Sequence, residues 1–107
     1  MSLNQLIINT LKPLGVPVGF HKYQGTAATY ITFFEFNQNG ALFADDEEQL
    51  TSHSIQVDIW SKGDYTELVK QVKNELMNVG FSRPIENELY ENDTELFHKV
   101  LRFNFVQ

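Results

Sequence analysis

The chain has 107 residues, enough for one domain, residues 1–107, whose single core takes roughly two-thirds of the unfolded surface out of water. Its 14 acidic and 8 basic residues leave a net charge of −6, and the basic residues are scattered, which argues against direct nucleic-acid binding. There is no cysteine, which excludes a disulfide framework, a thiolate metal site and a cysteine nucleophile. Met1-Ser2-Leu3-Asn4 lacks the basic start and apolar run of a signal peptide. No apolar run nears the roughly 20 residues that span a membrane, so a soluble chain with no membrane partner is expected.

The first predicted element is a helix from Ser2 to about Lys12. Ser2 and Gln5 have capping-box spacing, Leu3, Leu6, Ile7 and Leu11 form an apolar stripe, and Pro13 and Gly15 end it. Val16 to Tyr23 reads as a short edge strand with Pro17 near its start, and Gln24 to Ala28 as a small mobile turn. Thr29 to Asn37 is a strong strand. Tyr30, Thr32, Phe34 and Phe36 share one face, and Ile31, Phe33, Glu35 and Asn37 share the other. Aromatics on both faces require that part of the second face be covered or stand exposed as a patch.

Gln38 to Thr51 reads as a long irregular loop. It holds the hairpin-like pair Asn39-Gly40, the apolar pair Leu42-Phe43, and then Asp45-Asp46-Glu47-Glu48. Ile55, Val57 and Ile59 then alternate with Ser54, Gln56 and Asp58, a strand with one buried face. After Lys62-Gly63 the period becomes helical: Tyr65, Leu68, Val69, Val72, Leu76 and Val79 form one stripe. Asp64 is expected as its N-cap, with Glu67 completing a capping box, and Gly80 as the left-handed C-terminal residue. Ser82 to Tyr90 is an edge-strand candidate containing Pro84, with Glu86 and Glu88 on its solvent face. Glu91 to Thr94 is a turn. Phe97 to Val106 closes the chain, with Phe97, Leu101, Phe103 and Phe105 on one face. The order α-β-β-β-α-β-β predicts an α+β domain: an antiparallel sheet of four to five strands with two helices on one face.

No pattern carries catalysis, and no enzyme, metal or cofactor is expected. Four consecutive carboxylates do not alternate as calcium ligands do. His21, His53 and His98 are dispersed, without the i, i+4 spacing of a helical zinc site, and read as surface or hydrogen-bonded residues. Gly15 to Gly19 lacks the lysine and following helix of a phosphate loop. Trp60 lies on the face opposite Ile55, Val57 and Ile59. It is read either as a residue under the N-terminal helix or a loop, or as an interface anchor.

The run Asp58-Ile59-Trp60-Ser61-Lys62, with Asp64-Tyr65, the helix and Gly80-Phe81 after it, resembles the tail-completion proteins of long-tailed phages and prophages. Leu14 to Val18 and the closing His98 to Phe103 run extend the likeness over most of the chain. The resemblance implies a structural subunit of the virion tail, present in the bacterial host cytoplasm during assembly. It implies a homo-oligomeric ring, commonly a hexamer, that terminates the tail tube, meets the tube protein and the head connector, and lets DNA pass. A negative lumen would let phosphate slide without sticking.

The expected assembly interface is the loop, through Leu42, Phe43, Asp45, Asp46, Glu47 and Glu48, together with Trp60. The loop is expected to be mobile in the isolated subunit and ordered on a neighbour. The competing readings are a regulatory or ligand-binding α+β domain, which needs a pocket of convergent polar groups, and an acidic inhibitor that mimics DNA.

Overall fold

A computed structural model describes residues 2–44 and 47–107, with the backbone alone for residues 39, 41–44 and 47–49. Helix α1 spans Leu3–Leu11. As predicted, the Ser2 hydroxyl caps it, accepting from the Gln5 N–H at 3.1 Å. A 3-10 turn, Lys12–Leu14, follows and closes at Gly15, whose φ of 82° suits a residue without Cβ. The strands are β1 Val18–Phe20, β2 Thr29–Ala44, β3 Glu47–Ser61, β4 Ile85–Glu91 and β5 Leu96–Val106, with helix α2, Thr66–Asn78, between β3 and β4. They form one five-stranded sheet in the order β1-β2-β3-β5-β4.

The predicted element order and α+β class hold, with two helices on one face. The sheet itself is mixed: β1 runs parallel to β2 and the other pairings are antiparallel. Residues 21–28 carry the chain back from the end of β1 to the start of β2, which gives the parallel direction without a crossover helix.

The helix-covered face follows from the register. Ile31 and Phe33 of β2 stand opposite Ile59 and Val57 of β3, and Val57 and Ile55 stand opposite Leu101 and Phe103 of β5. These residues are all buried, in one cluster with Ile7 and Leu11 of α1 and Val69, Val72 and Leu76 of α2. The period-of-two and period-of-3.6 stripes therefore meet as expected.

α2 begins one residue later than its sequence signal. Tyr65 occupies the N-cap position without a side-chain cap, while Asp64 Oδ1 accepts from the Thr66 N–H at 3.0 Å and its hydroxyl at 2.7 Å. The capping box with Glu67 is thus replaced by a turn at Asp64, and those bonds hold the Asp64 carboxyl below its usual range. At the other end Phe81 N–H reaches the Leu76 carbonyl at 3.0 Å and Gly80 N–H the Met77 carbonyl at 3.2 Å, with Gly80 at φ 110°. This is the Schellman arrangement that the glycine predicted.

The largest correction concerns Gln38 to Thr51. It is not an irregular loop. β2 and β3 stay paired from Thr29↔Ser61 to Ala44↔Glu47. Asn39-Gly40 lies inside the ladder, opposite Ser52 and Thr51, and is not its turn. Gly40 instead borders a register shift, the usual sign of a bulge in a strand. Asp45 and Asp46, between the two strands, lie outside the described residues.

Candidate functional site

The sheet offers three surfaces that its own core does not use: an arm, an uncovered face and two free edges. The arm is the distal part of the β2–β3 pair. β5 ends its pairing at Val106↔Ser52, where Gln107 exchanges two backbone bonds with Thr51, at 2.9 and 3.1 Å. β1 reaches only Ile31 to Phe33. From Leu42↔Leu50 to Ala44↔Glu47 the two strands pair with no third strand among the described residues. At about 3.3 Å per residue this ribbon projects roughly 15 Å beyond the sheet, consistent with extents of 52 × 26 × 24 Å.

The uncovered face holds Trp60. No helix lies over it. Its ring stacks on His98 with centroids 3.7 Å apart and lies near-parallel to Tyr30 at 6.0 Å. Its Nε1–H donates to Thr32 Oγ1 at 3.1 Å. The chain after β1 folds onto the same face: Tyr23 stacks on Tyr30 at 4.4 Å and His21 on Phe34 at 5.4 Å. The Tyr23 hydroxyl accepts from the Ala27 N–H at 2.9 Å, and its ring sits where a Cβ on Gly25 would fall. The turn read as mobile is therefore pinned, and it is what covers the β2 aromatics.

Beneath this row lies a polar pair that sequence reading did not connect. Asp58 is 4% exposed although it alternates with apolar residues as a solvent-facing residue would. His98 Nε2 donates to Asp58 Oδ1 at 2.7 Å, and Gln56 Nε2 donates to the same oxygen at 2.9 Å. Arg102 Nε donates to Gln56 Oε1 at 3.1 Å, and its guanidinium lies over the Phe36 ring. The opposite nitrogen of His98, Nδ1, is buried without a hydrogen bond; the Glu91 carboxylate lies 3.7 Å away. The pair is not the His–Asp arrangement of a catalytic triad, in which the carboxylate takes Nδ1 and leaves Nε2 free; here Asp58 takes Nε2. A groove of about 480 Å³ beside it is lined by Ile85, Leu89 and Val100, with Gln56, Glu86, Asn87, His98 and Arg102 as its polar groups. Gln56 and Arg102 are bonded to each other, His98 to Asp58, and Glu86 to Lys73 and Lys99.

β4 corrects a further expectation. Glu86 and Glu88 are on its helix side, not its free face: Glu86 pairs with Lys73 at 2.8 Å and Lys99 at 3.2 Å, and Glu88 accepts from the Tyr65 hydroxyl at 2.6 Å. Ile85 and Leu89 are the residues turned to the uncovered face, exposed by 77% and 49%. A β4 opposite β5 alone places no constraint on which set is apolar, so polarity did not reveal the side. Burial and the Glu88 bond push the Tyr65 hydroxyl well above its usual range.

The Lys73 bond foremost, with Lys99, holds Glu86 below the ordinary carboxylate range. A lowered native value means stability present above the unfolded pKa and lost as pH falls through the native one. Glu86→Gln is accordingly expected to flatten the fall in denaturation midpoint below about pH 4.5. An acid limb identical to that of the parent chain would show that these pairs contribute nothing.

The residues predicted as one interface do not come together. Leu42, Phe43, Glu47 and Glu48 have backbone positions in the arm, and their side chains, like Asp45 and Asp46, are outside the described residues. Trp60 stands ten positions along β3 from Leu50, roughly 30 Å away at strand rise. Among the described residues no group of three or more His, Asp or Glu could hold a metal ion, and no helix is long and apolar enough to cross a membrane. Neither a protein-family model nor a curated protein sequence matches the chain.

Proposed function

We propose that the chain is a phage or prophage tail-completion subunit. It forms a closed ring, commonly of six copies, on the end of the tail tube, stops the tube's growth and offers the surface that joins the head connector. The work is structural and needs no catalytic residue or cofactor. The observation that carries this reading is the arm. Its three outer register pairs, Leu42↔Leu50 to Ala44↔Glu47, extend past the chain that flanks Thr51. A two-stranded ribbon on its own is marginal in water. Extending one beyond the sheet adds nothing to the domain's described core, all of whose members lie elsewhere. Such an arm suits contact with a neighbour that flanks its strands.

The ligand-binding alternative is weakened at the groove beside His98, where Gln56, Arg102, Glu86 and the His98 Nε2 already have protein partners, leaving the buried His98 Nδ1. Net charge favours passage of DNA over binding of it. No retardation of double-stranded DNA is expected at micromolar protein and physiological salt; micromolar binding with a steep salt slope would contradict this part of the proposal.

The deciding experiment mixes the chain with growing tubes of purified tail tube protein and follows them by electron microscopy. Elongation should stop, with ring-shaped density at the tube end. Unchanged elongation, with the chain left in the supernatant at tens of micromolar, would overturn the proposal.

A further inference from the structure

His98 sits where β3, β4 and β5 meet. Its ring stacks on Trp60 of β3, and Leu89 of β4 stands opposite it in the ladder. Nε2 is bonded to Asp58 of β3 at 2.7 Å. Nδ1 is buried without a hydrogen bond, and a carboxylate oxygen of Glu91, the last residue of β4, lies 3.7 Å from it. A neutral His98 that gives its proton to the Asp58 bond would turn the Nδ1 lone pair toward this second carboxylate. Two acceptors facing each other away from water are unfavourable.

A proton on Nδ1 removes the conflict. The imidazolium then donates to Asp58 on one side and, after a small turn of the Glu91 side chain, to Glu91 on the other. That side chain is 41% exposed, so it has room to turn. The ring's charge would also lie against the face of Trp60. Among the described residues, the other titratable groups on the surrounding elements are placed as follows. Tyr30 of β2 lies beside Trp60, and burial foremost, then the Glu91 charge, push its hydroxyl up. Tyr23 stacks on Tyr30. Arg102 of β5 is bonded to Gln56, and Lys99 is turned to the helix side with Glu86. Asp93 and Glu95 are exposed in the turn.

We propose that a proton held between His98 and Glu91 fastens the end of β4 to the central sheet, and that its loss releases the β4–β5 turn. β4 pairs with β5 alone. The turn after it holds Glu95 at φ 56°, a costly conformation for a residue with Cβ. An edge strand held in this way is the part of a sheet that opens most readily. A proton bound by native contacts and not by the unfolded chain favours the closed turn at low pH, and that contribution is lost as pH rises.

Trp60 is the only tryptophan, so its emission reports on the ring stacked against it. An imidazolium quenches indole fluorescence. Emission should therefore rise as pH is raised through about 5–8, the range in which histidine changes charge. Nitrogen-15 spectra of the His98 ring should show Nδ1 losing its proton over the same range. His98→Gln should remove the emission step, which separates it from His21 and His53. Glu91→Gln is the decisive variant, because its amide N–H can donate to the Nδ1 lone pair with no added proton. At pH 8, amide hydrogen exchange across residues 89–96 should be roughly tenfold slower in Glu91→Gln than in the parent chain. At pH 5 the two should exchange alike.

Equal exchange at pH 8 would overturn the proposal. So would an Nδ1 that carries no proton at pH 5, or an emission step of full size in His98→Gln. Melting checks that each variant is folded; if one is not, the nitrogen-15 titration of the parent chain decides alone.

Discussion

Leu76→Ala is expected to destabilise the folded chain by roughly 2–5 kcal/mol. Leu76 is fully buried in the cluster that joins α2 to β2, β3 and β5, so truncation removes its transfer free energy and leaves a cavity in a close-packed interior. Total stability of such domains is about 5–15 kcal/mol, so the loss is a large fraction of it. The urea midpoint should fall with little change in slope, since the same surface is exposed on unfolding. The neighbouring Met77 is 41% exposed and serves as the control; Met77→Ala should stay within about 0.5 kcal/mol of the parent. An unchanged midpoint for Leu76→Ala would mean that α2 is not packed on the sheet.

Deleting residues 41–48 is expected to leave the domain folded and to abolish capping of tail tubes altogether. The deletion shortens the ribbon beyond Gly40↔Thr51 and removes no member of the described core. The melting temperature should therefore move by only a few degrees, since about 1 kcal/mol corresponds to roughly 4–8 °C in a domain of this size. Loss of capping would follow if, as proposed, the arm seats on a neighbour, where ordering its backbone costs roughly 1–2 kcal/mol per residue. Tube lengths measured with the deleted and intact chains decide it. Capping by the deleted chain at the intact chain's concentration would remove the arm from the interface.

Both helices were legible because their signals are local. Ser2 and Gln5 are three positions apart, and Gly80 sits where the chain of α2 must turn left-handed. The core stripe of β3 was legible for the same reason: Ile55, Val57 and Ile59 repeat every second residue, and the repeat alone tells which face is buried. The arm was not legible. Glutamine, asparagine, glycine and carboxylates are poor strand formers, and residues 38–51 are rich in them. Strand pairing there comes from the partner strand's register, which propensity does not contain.

The candidate surfaces divide along the same line. Trp60 was singled out by residue type, and its position on the uncovered face was readable from alternation. Its partners were not: Thr32 is 28 positions away and His98 comes from β5. Asp58 looked like a solvent residue because alternation records which face a side chain takes and not what else stands on that face. The Asp58–His98 bond spans 40 positions.

The sequence by itself determined the number and order of the elements, both helix ends at Ser2 and Gly80, and the apolar set that forms the core. Each of these follows from spacings within one or two turns or a few strand residues. Only the tertiary structure decided that β1 runs parallel, that Gln38 to Thr51 is a paired arm, that Tyr23 covers Tyr30, and that Glu86 and Glu88 turn to the helix side. Those outcomes depend on which strands become neighbours, and that is set by the joint burial of residues far apart in the chain, a sum that no local pattern holds.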